Sequence, residues 1–294
     1  MIPLLFDRYQ LVTPPSLAAV LDDLARHPGA RPFAGGTDLM VLLESGHLPP
    51  GRYVSLRHCR ELSGIEETAE GVPGRGHSAG GVSIGALVTY TEIRGSAMLA
   101  ARAPMLCEAA RETGGLATQN RGTIGGNIAN ASPAADTPPA LLVYDAEIEL
   151  VSATGSRRVP YASFHHGYKK MDLAPGELIA RVHLPARSGG WTDSYRKVGT
   201  RRAQAISKVC LAGSIRMEGA GVADVRIAIG AVAPTVVRAT AAEQALRGRA
   251  LDADAIAAAE RALVEAIAPI DDIRSSARYR SRVAVNLLRE FLRS

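Results

Sequence analysis

The chain has 294 residues, of which 47% are hydrophobic and 21% charged, with a formal charge of +5. This is enough apolar material for one large domain or two to three small ones, which excludes a disordered chain, and no apolar run is long enough to cross a bilayer. The basic residues fall in small clusters (Arg157-Arg158, Lys169-Lys170, Arg201-Arg202, Arg274–Arg282) with no nucleic-acid-binding module, so no nucleic acid is expected and the surface reads as solvated, though an anionic ligand or acidic partner would also suit it.

In chain order, the first segment reads as a βαβ-like unit. Ser16 follows two prolines and can cap a helix whose inward face is Leu17, Val20, Leu21 and Leu24, with Pro28-Gly29 as the stop. A short apolar run, Pro32-Phe33-Ala34, meets Gly35-Gly36-Thr37-Asp38 and then a second helical pattern through Leu39, Met40, Leu42 and Leu43. Glycines there free the backbone for positive φ, and successive amides ahead of a helix can nest an anion. A plain strand–helix turn would have the same pattern. The glycine-rich stretch 71–86 predicts a hairpin loop leading into a strand at Val82–Ile84. A helical stretch follows from Thr91 to Arg111, with Pro104 as its break.

Gly122, Gly125 and Gly126 then sit within five residues, with Thr123 and Asn127 between and beside them. Ser132, Asp136 and Thr137 follow in a segment broken by Pro133, Pro138 and Pro139. Such a segment makes a poor helix and a poor strand. It suits wrapping a polar ligand with backbone donors, and a long irregular segment in a compact domain usually carries function. Ala146, Ile148 and Leu150 alternate with Glu147 and Glu149 as a half-buried strand. After about residue 172, Leu211, Ile215 and Met217 share one strand face, Glu218–Gly221 reads as a hairpin turn, and Val225, Ile227 and Ile229 form the returning strand. Two helices present Ile256, Leu263 and Ile267, then Tyr279, Val283, Leu287 and Phe291.

Cys59, Cys107 and Cys210 are far apart with no CxxC pair, which argues against a disulfide framework, a zinc site or an iron–sulfur cluster held by this chain alone. Together with an N-terminal run unlike a signal peptide, this makes the cytoplasm the expected location. His165-His166 are expected to be surface or loop histidines, since neighbours on a regular element point different ways; a metal-ligand pair or a covalent cofactor link is the alternative. No GxxxxGK[ST] loop or Rossmann fingerprint is present.

PFAGGTDL at 32–39 and TIGGNIANASPAAD at 123–136 resemble the paired FAD motifs of the flavoprotein (medium) subunit of molybdenum hydroxylases, the xanthine dehydrogenase and carbon monoxide dehydrogenase type. APGELI at 174–179 and SYRKVGTRRAQAISKV at 194–209 extend the likeness along the chain. The resemblance implies an α+β chain: a p-cresol methylhydroxylase-type FAD-binding fold of two α/β subdomains (about 1–55 and 56–172), then a C-terminal α+β domain (173–294) of antiparallel sheet plus helices. It implies FAD between the subdomains, with Ala34, Gly35, Gly36, Thr37 and Asp38 holding the pyrophosphate from one side. Thr123, Gly125, Gly126, Asn127 and Ile128 would hold it and the ribityl chain from the other. Asp136 would bond the polar part near the flavin, and Ile179 and Lys197 would meet the isoalloxazine ring, although Lys197 read alone could be an exposed strand lysine. It further implies partners, namely a small subunit with two [2Fe–2S] clusters and a large molybdopterin subunit, in a dimer of heterotrimers. Electrons would pass from the clusters through FAD to NAD, a quinone or oxygen. The rival readings are a free-standing FAD-dependent oxidase of the same fold and a cofactor-free protein binding nucleic acid or an acidic partner.

Overall fold

The computed structural model describes residues 8–68, 80–201 and 203–293, so the glycine-rich stretch expected as a hairpin loop lies outside the described residues from 71 to 79. The first unit comprises β1 (Tyr9–Val12), α1 (Leu17–Arg26), β2 (Arg31–Phe33), α2 (Leu39–Glu44) and β3 (Gly51–Ser55), with a parallel sheet in the order β1-β3-β2. The Ser16 hydroxyl accepts the Ala19 N–H at 3.2 Å and so caps α1. Val20 and Leu24 then pack on Val54 of β3 and on Leu178 and Ala180 from much later in the chain. By contrast α2, apolar at five of six positions, buries none of them.

The second unit runs through β4 (Ile65–Glu67), β5 (Val82–Gly85), α3 (Tyr90–Gly95), α4 (Ala97–Arg102), α5 (Pro104–Glu112), α6 (Leu116–Gln119), α7 (Ile124–Asn130), α8 (Pro138–Val143), β6 (Glu147–Ser152), β7 (Gly155–Pro160), α9 (Tyr161–Phe164), β8 (His165–Gly167), β9 (Lys170–Met171) and β10 (Leu178–Leu184). Its antiparallel sheet has the order β4-β5-β10-β6-β7. Thus β10, which lies beyond residue 172, is the middle strand of this sheet. The expected helix at 91–111 is three helices, because Ser96 breaks it a first time and caps α4 through Leu99 N–H at 3.2 Å. The segment expected to be irregular also contains two helices. Thr123 caps α7 despite its glycines, Ala131 ends it at φ +48, and Pro138-Pro139 open α8, where a missing N–H costs nothing.

The third unit has β11 (Trp191–Val198), β12 (Val209–Glu218), β13 (Gly221–Gly230), β14 (Val237–Arg238), α10 (Thr240–Leu246), α11 (Ala253–Ala266) and α12 (Ala277–Arg293). Its antiparallel sheet is covered by the helices, with Leu211, Ile215, Val225, Ile227 and Ile229 against Leu263, Leu288 and Phe291. The Glu218–Gly221 turn joins β12 to β13 as expected. Met217, however, does not share their burial. It lies at the end of β12 next to the hairpin turn, opposite a bulge at Ala223 of β13, and is 42% exposed. Tyr279 likewise faces out, under the Lys208 ammonium at 5.1 Å.

Candidate functional site

The chain leaves β2 at Phe33 and turns through Ala34–Asp38 into α2. Gly36 has φ +76, a conformation that a side chain would strain. Gly35 lies directly on the second glycine segment, so that a Cβ built on it would stand 1.8 Å from the Arg121 carbonyl oxygen. The two motifs therefore touch backbone to backbone. Their far ends also meet, where Asp38 Oδ1 accepts from Asn130 Nδ2 at 3.2 Å.

On the other side, Thr123 Oγ1 accepts the Gly126 N–H at 3.1 Å, and Gly126 itself is exposed. Asn127 Oδ1 accepts from Thr137 Oγ1 at 2.7 Å. Gly125 behaves differently. Its N–H donates to Ala86 O at 2.9 Å, and a Cβ there would meet Ala86 Cβ at 2.6 Å, so it lets α7 lie against the end of β5. Ala86 N–H in turn donates to Ala180 O, next to Ile179, so β10 and α7 are joined through one residue. Ile128 and Ile179 are both buried in the central core, and neither side chain lines an open surface.

Asp136 and Lys197 form a buried ion pair at 2.8 Å, with side chains 8% and 4% exposed, so Lys197 is no exposed strand lysine. Lys197 Nζ also donates to Glu112 O at 2.8 Å. Asp136 Oδ1 accepts from Ser207 Oγ at 2.6 Å, and its backbone carbonyl accepts from Tyr195 OH at 3.0 Å. Burial pushes the Asp136 carboxyl up from its ordinary value, while the Lys197 ammonium and the Ser207 hydroxyl pull it down. An ammonium has three donors, and the third N–H of Lys197 has no acceptor among the described residues.

Sequence reasoning did not single out Ser207, Glu112 or Asn130, and it read Lys169 only as part of a basic cluster. Ser207 lies within a quoted motif, but nothing local marks a serine that reaches a carboxylate 71 positions away. His165 is half-buried, with Nε2 on Ile128 O at 2.9 Å and Nδ1 on Tyr161 OH at 3.3 Å, so the ring fastens β8 to α7; His166 is exposed. Burial holds the His165 imidazole below its ordinary value, as it does His183, which lies 2.6 Å from Glu149. A histidine with a lowered folded pKa binds fewer protons than in the unfolded chain. Its stabilising contribution is therefore complete above the unfolded value and is lost as pH falls toward the folded one. Thermal melts at about pH 7.5 and about pH 5.5 should show the wild type losing more stability than His165→Gln over that interval; an equal loss would remove His165 as a cause.

The family model described as "FAD binding domain in molybdopterin dehydrogenase" matches residues 7–187. The chain belongs to this family. A second model, "CO dehydrogenase flavoprotein C-terminal domain", matches residues 194–294. The carbon monoxide dehydrogenase medium chain of Afipia carboxidovorans is 33% identical over 98% of this chain and 96% of its own. The xanthine dehydrogenase FAD-binding subunit of Escherichia coli O157:H7 is 30% identical over 90% of this chain and 88% of its own. Among solved structures, carbon monoxide dehydrogenase from Hydrogenophaga pseudoflava superposes with a TM-score of 0.89 at 30% identity, covering 96% and 95% of the two chains. The protein is an FAD-binding, medium-type subunit of a molybdenum hydroxylase-family oxidoreductase, and its three units are the two FAD subdomains and the C-terminal domain of that fold. Among the described residues no helix is long and apolar enough to cross a membrane.

Proposed function

We propose that FAD lies between the first and second units and carries electrons from [2Fe–2S] clusters of a small partner subunit to a final acceptor, which is NAD, a quinone or oxygen. A large molybdopterin subunit would oxidise the organic substrate, in a dimer of heterotrimers. The observation that carries this reading is the contact between two glycine segments at Gly35 and Arg121, inside the span that the FAD-domain family model matches. The residues fit the group. The first segment carries no side chain at Gly35 and Gly36 and the second none at Gly125 and Gly126, and Thr123 caps the short helix that opens the second. Lys197 offers its remaining N–H beside the cradle.

In this arrangement the amides of Ala34–Asp38 would hold the diphosphate, the bare backbone of Gly126 would let it approach α7, whose amides at Gly126 and Asn127 are taken by Thr123, and Gly125 sets how closely α7 approaches. Bound FAD supplies the conversion between one-electron and two-electron transfer. Asp136, itself held by Ser207, and Glu112 O fix the Lys197 ammonium, which would favour electron density on a reduced flavin bound beside it. The Ile179 backbone, at the bulge of β10, would meet the edge of the isoalloxazine ring. With β10 in the second sheet, we place the boundary of the C-terminal domain between residues 184 and 191, not at 173. The purified chain should carry, or take up on titration, one FAD per chain, identified by its visible spectrum and by the nucleotide released on denaturation. A folded chain that binds no FAD would end this reading.

A further inference from the structure

The linker between β10 and β11 helps to line a second cavity, of about 390 Å³, a volume within the range of small-molecule sites. Its apolar lining comes from Val82 at the start of β5, Pro104 at the head of α5 and Leu184 at the end of β10. Arg187, Trp191 and Asp193 line it as well. Asp193 stands four residues before Lys197 on β11, about 13 Å along an extended strand, so this cavity is separate from the Lys197 ammonium. Gly189 of the linker also lines it, and a Cβ built there would meet nothing within 4 Å.

Three guanidinium groups surround the Trp191 ring, with Arg187 at 4.5 Å, Arg226 at 5.0 Å and Arg216 at 5.8 Å from its centroid. Arg187 places Nη1 on both Asp193 oxygens, at 3.1 and 3.2 Å, and Nη2 on Asp193 and on the Ser214 hydroxyl. Arg226 pairs with Asp145 at 2.8 Å, and Arg102, at the same cavity, pairs with Glu67 at 2.5 Å. Arg216 is opposite Trp191 on one side of β12 and opposite Asp224 on the other. Asp224, however, is turned to Arg247 at 2.9 Å, and Arg216 has no carboxylate partner among the described residues. Burial first, and the Arg238 and Arg187 charges after it, hold the Arg226 guanidinium below its ordinary value although Asp145 opposes them. The Nε groups of Arg187 and Arg216 are buried and donate to nothing among the described residues, whereas a buried N–H in a native fold seldom lacks an acceptor. One uncompensated cation and two idle donors match a single carboxylate. A phosphate dianion would need more charge and more donors than remain, and the apolar lining suits an organic body better than a hydrated ion.

We propose that this cavity binds a small organic carboxylate with an apolar body. The carboxylate accepts from the Nε groups of Arg187 and Arg216, and the body lies against Val82, Pro104 and Leu184. Trp191 is the only tryptophan of the chain, so its emission reports occupancy directly. The test is a fluorescence titration of the full-length chain as purified with benzoate, set beside benzamide (the same body without the charge) and inorganic phosphate (charge without the body). Benzoate should change the emission saturably with a Kd of about 1 mM or tighter, and the other two should bind at least about tenfold more weakly. Arg216→Gln removes one donor and Gly189→Leu narrows the cavity, and each should weaken benzoate about tenfold or more with flavin content unchanged. Gly189 has open space at its Cβ and no positive φ, so Gly189→Leu keeps the test open should Arg216→Gln melt below the wild type. The proposal is overturned by the lack of a saturable change up to about 50 mM benzoate, or by equal binding of the three probes. Wild-type benzoate affinity in either variant that melts like the wild type would overturn it too.

Discussion

Lys197→Met should destabilise the folded chain by about 3–5 kcal/mol, because it leaves a carboxylate in the interior without its cation. Both side chains of the pair are less than a tenth exposed, and the remaining direct partner of the Asp136 carboxylate is Ser207 Oγ. Methionine fills the volume of the lysine stem but offers no donor to Asp136 or to Glu112 O. The loss should depend on pH in a defined sense. Burial already raises the Asp136 carboxyl, and without Lys197 the main opposing influence is gone. A carboxyl with a raised folded pKa takes up a proton more readily folded than unfolded, so the penalty should be largest near about pH 8 and shrink as the pH falls toward about 5. Asp136→Asn combined with Lys197→Met should recover part of the stability, since no charge is then left unpaired. Urea melts of the four species give the coupling energy. A loss under about 1 kcal/mol in the single variant would mean that the pair behaves as an exposed one.

Gly35→Ala should weaken FAD binding by about a hundredfold and lower stability at the same time. The added Cβ would stand 1.8 Å from Arg121 O and 2.6 Å from its carbonyl carbon. Both obstacles are backbone, so no side-chain rotamer relieves them and the two glycine segments must separate. Overpacking of this kind costs about 1–3 kcal/mol, with rigid obstacles toward the upper end, and about 1.4 kcal/mol corresponds to tenfold in affinity. Gly29→Ala is the matched control. Its Cβ would meet nothing within 4 Å and its φ is not positive, so stability should stay within about 0.5 kcal/mol and FAD affinity should not move. Wild-type affinity in Gly35→Ala, by fluorescence titration, would show that the contact at Arg121 does not shape the cofactor site.

Features set by neighbours along the chain are legible in the amino-acid sequence itself. The cap at Ser16, the turn at Glu218–Gly221 and the alternation through Ala146–Leu150 each depend on a few consecutive residues, and each stands where the pattern puts it. The glycine motifs are legible for a related reason, since a chain that must bend through positive φ at Gly36 writes that need into its sequence. Where local signals are overridden, the cause is tertiary. Glycine and proline argue against helix at 124–143, yet α7 and α8 form because their apolar faces, Ile124, Ile128, Leu141 and Val143, are wholly buried in the central core. Met217 matches the alternation of β12 yet is exposed, because it stands at the hairpin end of the strand rather than under the helices.

The sequence alone determined that this chain bends twice through glycine segments of the FAD-subunit kind, and that it ends in a sheet-and-helix domain. It also placed Asp136 and Lys197 among the groups that matter. Only the tertiary structure decided that these two neutralise each other, that Ser207 and Glu112 O complete their shell, and that Asn130 joins Asp38 to Lys169. The physical reason is distance along the chain. Caps and turns are settled by backbone geometry over a few residues, whereas a buried charge finds its partner only when packing excludes water around both, and here the partners lie 61 and 71 positions from Asp136.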